Sequence, residues 1–221
     1  MSTSSATTAW PVHINAAGVV VNGDLSIPAN AQGLVIFVHG SGSSRHSRRN
    51  RAVGEVLLQA RLATLLLDLL TQDEERVDDV TAEFRFDIPF LANRVSATID
   101  WATTHPSIAS LPLGLFGAST GAAAALVAAA ERPSVVRAVV SRGGRPDLAG
   151  AALDRVTAPT LLIVGGRDEV VLELNRHALE RLRGPKQLVV VPHATHLFEE
   201  PDALDQVARL ATEWFVRHLA T

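Results

Sequence analysis

The segment PLGLFGASTGAAAALVAAAER, residues 112–132, carries the reading of the fold. Its first part, Pro112 to Phe116, is an apolar run of strand length, and Thr120 to Arg132 is an alanine-rich run of helix length closed by Pro133. Between them lies Gly117-Ala118-Ser119-Thr120-Gly121, a Gly-x-Ser-x-Gly turn in the strand-to-helix setting that gives this pattern meaning. A serine on so tight a turn is forced into a strained backbone conformation, and only small residues two positions away avoid the neighbouring elements. The amino end of the following helix then favours negative charge developing near Ser119.

Outward from this turn the same alternation repeats. Apolar runs of strand length occur at Gly33–Val38, Ala63–Asp68, Val135–Ser141, Thr160–Val164 and Gln187–Val191. Helical stretches fall between and after them at Arg48–Gln59, Asp87–Thr103, Leu172–Arg183 and Asp202–Leu219. The strands lack polar alternation, which predicts burial on both faces and hence a mostly parallel α/β sheet with helices on both sides. Val19-Val20-Val21, Asn22-Gly23 and Leu25-Ser26-Ile27 read as an antiparallel hairpin, with Asn-Gly supplying a type I′ turn. One α/β domain over residues 17–221 is expected, preceded by an extension over 1–16.

In such sheets ligands sit beyond the carboxyl ends of the strands. The residues there are polar: His39-Gly40-Ser41-Gly42, Asp68, Ser119, Ser141-Arg142-Gly143-Gly144, Gly165-Gly166-Arg167-Asp168 and His193-Ala194-Thr195-His196. A serine hydroxyl needs a base, and the base needs an orienting acid. The chain offers Ser119, Asp168 and His196 in that order, each after a different predicted strand. Asp68 ends a strand too and stands as a reserve acid. For the oxyanion of acyl transfer, the backbone N–H of Thr120 follows the nucleophile, and the N–H of Ser41 in the glycine-rich loop is the expected second donor.

Composition narrows the function classes. With 20 Lys and Arg against 23 Asp and Glu in 221 residues, the formal charge of −3 favours neither nucleic acid nor an anionic membrane as partner. The absence of cysteine removes disulfide scaffolds, thiolate metal sites and cysteine nucleophiles. No apolar run reaches the roughly 18 residues that a spanning helix requires, and the Ser/Thr-rich start lacks a signal-peptide pattern. A cytoplasmic protein is expected.

With these motifs assembled, the chain resembles the α/β-hydrolase superfamily. His39-Gly40-Ser41-Gly42, Gly117-Ala118-Ser119-Thr120-Gly121, Gly166-Arg167-Asp168 and His196-Leu197-Phe198 resemble its dienelactone hydrolase-like branch, over about residues 17–219. Classical members of that branch use a cysteine nucleophile where this chain has Ser119, and many members of the superfamily have glycine where it has His193. The resemblance, with the serine, implies a serine hydrolase of carboxylic esters that needs no cofactor and no metal. Only Arg142 to Ala158 separates two predicted strands, leaving little or no lid and favouring small soluble esters. Arg45, in a basic loop after the oxyanion segment, and Arg142 are candidate contacts to a carboxylate or phosphate of the substrate.

The acidic stretch Asp73 to Glu83 reads as a solvated loop. Other functions remain in view. The acyl group could pass to an alcohol or peroxide, the fold could bind without catalysis, or His193 and His196 with Glu199 or Glu200 could hold a metal. The partner expected is a small-molecule ester, and homo-oligomerisation is left open.

Overall fold

The computed structural model describes residues 9–219. Its elements are β1 (Trp10–Ala16), β2 (Val19–Ser26), β3 (Gly33–Val38), α1 (Arg48–Gln59), β4 (Leu62–Leu67), α2 (Gln72–Thr81), α3 (Ile88–Ala102), β5 (Leu113–Ala118), α4 (Thr120–Glu131), β6 (Val136–Arg142), a 3-10 segment (Pro146–Arg155), β7 (Thr160–Gly165), α5 (Glu169–Arg181), β8 (Lys186–Val191) and α6 (Ala203–Leu219). The strands form an eight-stranded sheet in the order β1-β2-β4-β3-β5-β6-β7-β8. From β4 to β8 neighbouring strands run parallel, and β1 and β2 add an antiparallel edge.

Why the central strands are apolar throughout is visible in the two cores they feed. Leu34, Ile36 and Val38 point to one face, where α3 and α4 contribute Val95, Ile99 and the alanines 123–125. Val35 and Phe37 point to the other, against Val53 and Leu57 of α1 and Val207, Trp214 and Phe215 of α6. The small side chains of α4 let that helix lie close on β5, which brings its first turn to the carboxyl edge of the sheet.

Three expectations are corrected. The hairpin turns at Ala17 and Gly18, whose φ angles are 54° and 84°, while Asn22 and Gly23 lie within β2. Gly23 pairs with Val12 on one side and Leu67 on the other, and a Cβ there would come within 2.9 Å of Leu65. Residues 10–16, assigned to an extension, are therefore a sheet strand; residues 1–8 of that extension lie outside the described residues. The acidic stretch is not a loop: residues 72–81 form α2. Thr71 accepts from the N–H of Glu74 while the Glu74 carboxylate accepts from the N–H of Thr71, a reciprocal cap.

The far end of α2 is fixed by a buried carboxylate. Asp78 accepts from the N–H groups of Phe84 and Arg85 and from the Arg85 guanidinium. Burial alone would push its pKa up, yet these donors outweigh it and hold the carboxyl below its ordinary value. Between β6 and β7, the 3-10 segment is two short turns kinked at Gly150, and no α-helix is inserted between these two strands.

Since α2 presents Val77 and Val80 to solvent, its ends carry much of its stability. Replacing Thr71 by alanine should cost about 1 kcal/mol. A urea titration of native protein and Thr71→Ala reads this directly, and coincident midpoints would reject the cap as a stabilising element.

Candidate active site

Ser119 links β5 to α4 with φ 51° and ψ −124°, a conformation L-residues avoid. Its backbone is held from three sides: Ser119 N–H donates to Arg142 C=O at 3.2 Å, and Ser119 C=O accepts from Arg145 at 3.0 Å and from Ala122 at 3.1 Å. The flanking glycines are sterically required. A Cβ on Gly117 would stand 2.4 Å from the Ala122 Cα, and one on Gly121 would stand 2.3 Å from the His39 carbonyl oxygen.

Asp168 caps the start of α5, but its side chain turns away from the helix: Oδ2 lies 2.6 Å from Nδ1 of His196. The two loops carrying this pair are laced together. Gly166 N–H donates to Val191 C=O, Arg167 N–H to Ala194 C=O, and Glu200 accepts from the N–H of Thr195. His193 lies at φ 63°, the left-handed conformation that a glycine would adopt more readily at this position. His196 and Ser119 line one cavity of about 230 Å³ with Ser41, Arg49, Asn50 and Arg142. No hydrogen bond joins Ser119 Oγ to the imidazole in this structure.

The expected oxyanion donors differ in availability. The Thr120 N–H begins α4 and finds no acceptor among the described residues. The Ser41 N–H is already engaged, donating to Thr120 Oγ1 at 3.0 Å, with the Ser41 and Thr120 hydroxyls 2.9 Å apart. Ser41 Oγ also donates to Arg85 C=O at 3.1 Å, tying the glycine-rich loop to the segment after α2.

The structure does not bring Arg45 or Asp68 to this site. Arg45 pairs with Asp68 and with Asp24, and its N–H donates to Asp68 Oδ1, so both side chains brace the loop after β3. Arg142 does line the cavity, as do Arg49 and Asn50, which sequence reasoning passed over although they stand in the basic stretch opening α1. Glu199 pairs with Arg49 and Glu200 serves the His196 loop. Among the described residues, no three His, Asp or Glu side chains are grouped to hold a metal ion, and no helix is long and apolar enough to cross a membrane.

The sequence model of the dienelactone hydrolase family matches residues 23–219. The chain belongs to the dienelactone hydrolase family, and with it to the hydrolases. A structure of dienelactone hydrolase from Anabaena variabilis is 58% identical, covers 96% of this chain and 99% of its own, and superposes with a TM-score of 0.95. The esterase domain of a Rhodothermus marinus protein, 18% identical with a TM-score of 0.75 over 96% of this chain and 99% of its own, shares the fold. Mycobacterium tuberculosis proteins that bear the provisional name phosphoribosyl transferase are 60% identical over 208 residues, 94% of this chain. This family member spans only about half their length, 46%.

His39 positions the glycine-rich loop after β3. Its buried ring donates from Nδ1 to Gly40 C=O at 2.9 Å and accepts the Leu69 N–H on Nε2 at 3.0 Å, an arrangement for the neutral ring alone. Burial lowers its pKa below the ordinary 6.5, against weaker raising effects of Gly40 and Asp68. Above 6.5 both folded and unfolded chains hold the ring neutral. Below it the unfolded chain takes up a proton that the folded one refuses, so stability falls with pH. His218, lowered by partial burial and by Arg217, acts in the same direction. Unfolding free energies from urea titrations at pH 7.5 and 5.5 should therefore drop less in His39→Gln than in native protein; equal drops would show that the buried ring is not the group responsible.

Proposed function

We propose that this chain is a serine hydrolase that cleaves small soluble carboxylic esters through an acyl-enzyme on Ser119. The observation that carries the reading is the strained Ser119 elbow opening on the cavity that also holds His196, whose Nδ1 is engaged by Asp168. A hydroxyl, an imidazole and a carboxylate arranged in series supply what acyl transfer requires.

In the proposed reaction Ser119 Oγ attacks the ester carbonyl carbon while His196 Nε2 takes the hydroxyl proton. Asp168 holds the ring in the tautomer that leaves Nε2 free and stabilises the imidazolium that forms. The tetrahedral oxyanion is met by the Thr120 N–H, and by the Ser41 N–H once Thr120 Oγ1 releases it. Collapse breaks the bond to the alcohol oxygen, which leaves with the proton from His196. Water then repeats the sequence on the acyl-enzyme, His196 again accepting and returning the proton, and the acid departs. The Ser119 and His196 side needs to tighten to hydrogen-bond distance in the substrate complex, as catalytic contacts commonly do.

The absence of a helical lid between β6 and β7 supports small soluble esters over interfacial lipids. The name of the mycobacterial relatives gives weaker support to any transfer of a phosphoribosyl group, because the match spans less than half of those proteins.

Ser119→Ala should lower kcat for p-nitrophenyl acetate by about 10⁴-fold or more while retaining the native circular dichroism spectrum. A variant with native turnover would reject Ser119 as nucleophile. Across p-nitrophenyl acetate, butyrate and palmitate, kcat/KM should fall with chain length beyond butyrate; a marked preference for emulsified palmitate would reject the small-ester reading.

A further inference from the structure

The cavity beside Ser119 contains two arginines that the acyl-transfer chemistry does not use. Arg142, at the end of β6, is only 7% exposed. A guanidinium removed from water needs a compensating charge or a full set of acceptors. The other buried charges here have one: Arg94 donates to the Glu74 carboxylate at 2.6 Å and to Ala16 C=O, and Asp78 receives Arg85. Among the described residues, Arg142 has no carboxylate within ion-pair distance. Its guanidinium makes one hydrogen bond among the described residues, to the neutral Asn50 Oδ1 at 3.4 Å, and its buried Nε has no partner.

Instead of a counter-ion, Arg142 has a second cation nearby. Burial and the charge of Arg49 together push its pKa down to about 10, so it stays protonated at neutral pH. Arg49 also has a buried Nε without a partner, and among the described residues its sole ion-pair partner is the exposed Glu199 at 3.2 Å. Both arginines line the cavity at the amino end of α1, where Ser47 caps the helix and the N–H groups of Arg48 and Arg49 have no acceptor among the described residues. A helix start adds partial positive charge to the two guanidinium groups.

We propose that Arg142 and Arg49, with the amino end of α1, form the binding site for a phosphate monoester, so that the ester hydrolysed at Ser119 carries a phosphate group. The proposal rests on the serine-hydrolase reading of the same cavity and adds its substrate class. Among the described residues, Arg142 lacks a carboxylate partner and Arg49 shares only the exposed Glu199; the three terminal oxygens of a phosphate can engage both guanidinium forks at once, where a carboxylate has two oxygens for them. Ser43 and Ser47 also border the cavity and add hydroxyl groups to the two guanidinium forks and the helix N–H groups. The phosphate is held and not transferred; the bond broken remains the carboxylic ester.

The test compares acetate release from 2-acetoxyethyl phosphate, 3-acetoxypropanoate and neutral 2-methoxyethyl acetate, together with calorimetric binding of phenyl phosphate and benzoate to Ser119→Ala protein. The phosphate ester should exceed both others in kcat/KM by about tenfold or more, and phenyl phosphate should bind more tightly than benzoate. In Arg142→Gln and in Arg49→Gln the ratio of phosphate to neutral ester should fall by about tenfold, and phenyl phosphate should bind correspondingly more weakly when each change is combined with Ser119→Ala. Should Arg142→Gln fail to fold, Arg49→Gln, at a partly exposed position, still reads the site.

Equal kcat/KM for phosphate and neutral esters would overturn the proposal while leaving the hydrolase reading intact, and so would a preference for the carboxylate ester. Phosphate selectivity unchanged in the arginine variants would also overturn it. Tight, arginine-dependent binding of phenyl phosphate without turnover of any ester would uphold the anion site and reject the hydrolase reading.

Discussion

The end of this molecule that carries the candidate active site depends on one strained residue. Ser119 is held at positive φ, which costs on the order of 1–3 kcal/mol and persists only where the surroundings leave no alternative. Those surroundings are the centre of the sheet. β5 is buried along its whole length between β3 and β6, and α4 follows it without an intervening residue other than Ser119 itself. The turn cannot relax without moving the helix off the sheet, because Gly117 and Gly121 already touch Ala122 and His39 with no room for a methyl group. Two of the backbone bonds that pin the turn come from Arg142 at the end of β6 and Arg145 just beyond it, so the residue that carries the hydroxyl and the residue that carries the buried guanidinium are fixed to one another.

Charge inside the protein is handled in three ways, and the differences separate structure from function. Asp78 is buried within a cage of N–H donors and a guanidinium, which makes it a loop staple. Arg94 joins Glu74 of α2 to the carbonyl of Ala16 at the sheet edge, which makes it a tie between elements. Arg142 has neither kind of satisfaction. Retaining a buried cation beside another cation is unfavourable for folding, and the fold tolerates it where the cavity opens. The arrangement is the electrostatic counterpart of the strained serine: both are locally costly, both stand at the carboxyl edge of the sheet, and the packed layers beneath supply the stability that maintains them.

What could be read from the chain follows the range of the forces involved. The placement of Ser119, Asp168 and His196 at the sheet's carboxyl edge was legible because each follows an apolar run, with glycines beside the first two marking a close backbone approach and His193 in the left-handed conformation before the third. The hairpin register was not. Asn22-Gly23 carries the stronger local turn signal, but β2 has to pair with β4 as well as β1, and that second partner keeps Asn22 and Gly23 extended while Ala17 and Gly18 take the turn. α2 was hidden because it lacks an apolar face. Its Thr71-to-Glu74 cap was readable, yet its other supports, Arg85 and Arg94, become partners only in the folded chain. Arg45 and Arg142 were likewise equivalent on topology, and only the positions of Asp24 and Asp68 engage one and leave the other facing the cavity.

The engagement of Ser41 bears on how the proposed reaction would use its donors. In this structure the Ser41 N–H is held by a neutral hydroxyl, that of Thr120, whereas the Thr120 N–H is unengaged. A ground-state ester carbonyl is also a neutral acceptor, so it gains little by displacing the hydroxyl. An oxyanion is a much stronger acceptor and shifts the exchange in its own favour. The second donor would then contribute mainly as charge develops on oxygen, raising kcat more than it tightens substrate binding. Recognition of the substrate before reaction would fall to groups outside the oxyanion hole, and in this cavity the guanidinium groups of Arg142 and Arg49, each with an unpartnered Nε, are the strongest such groups.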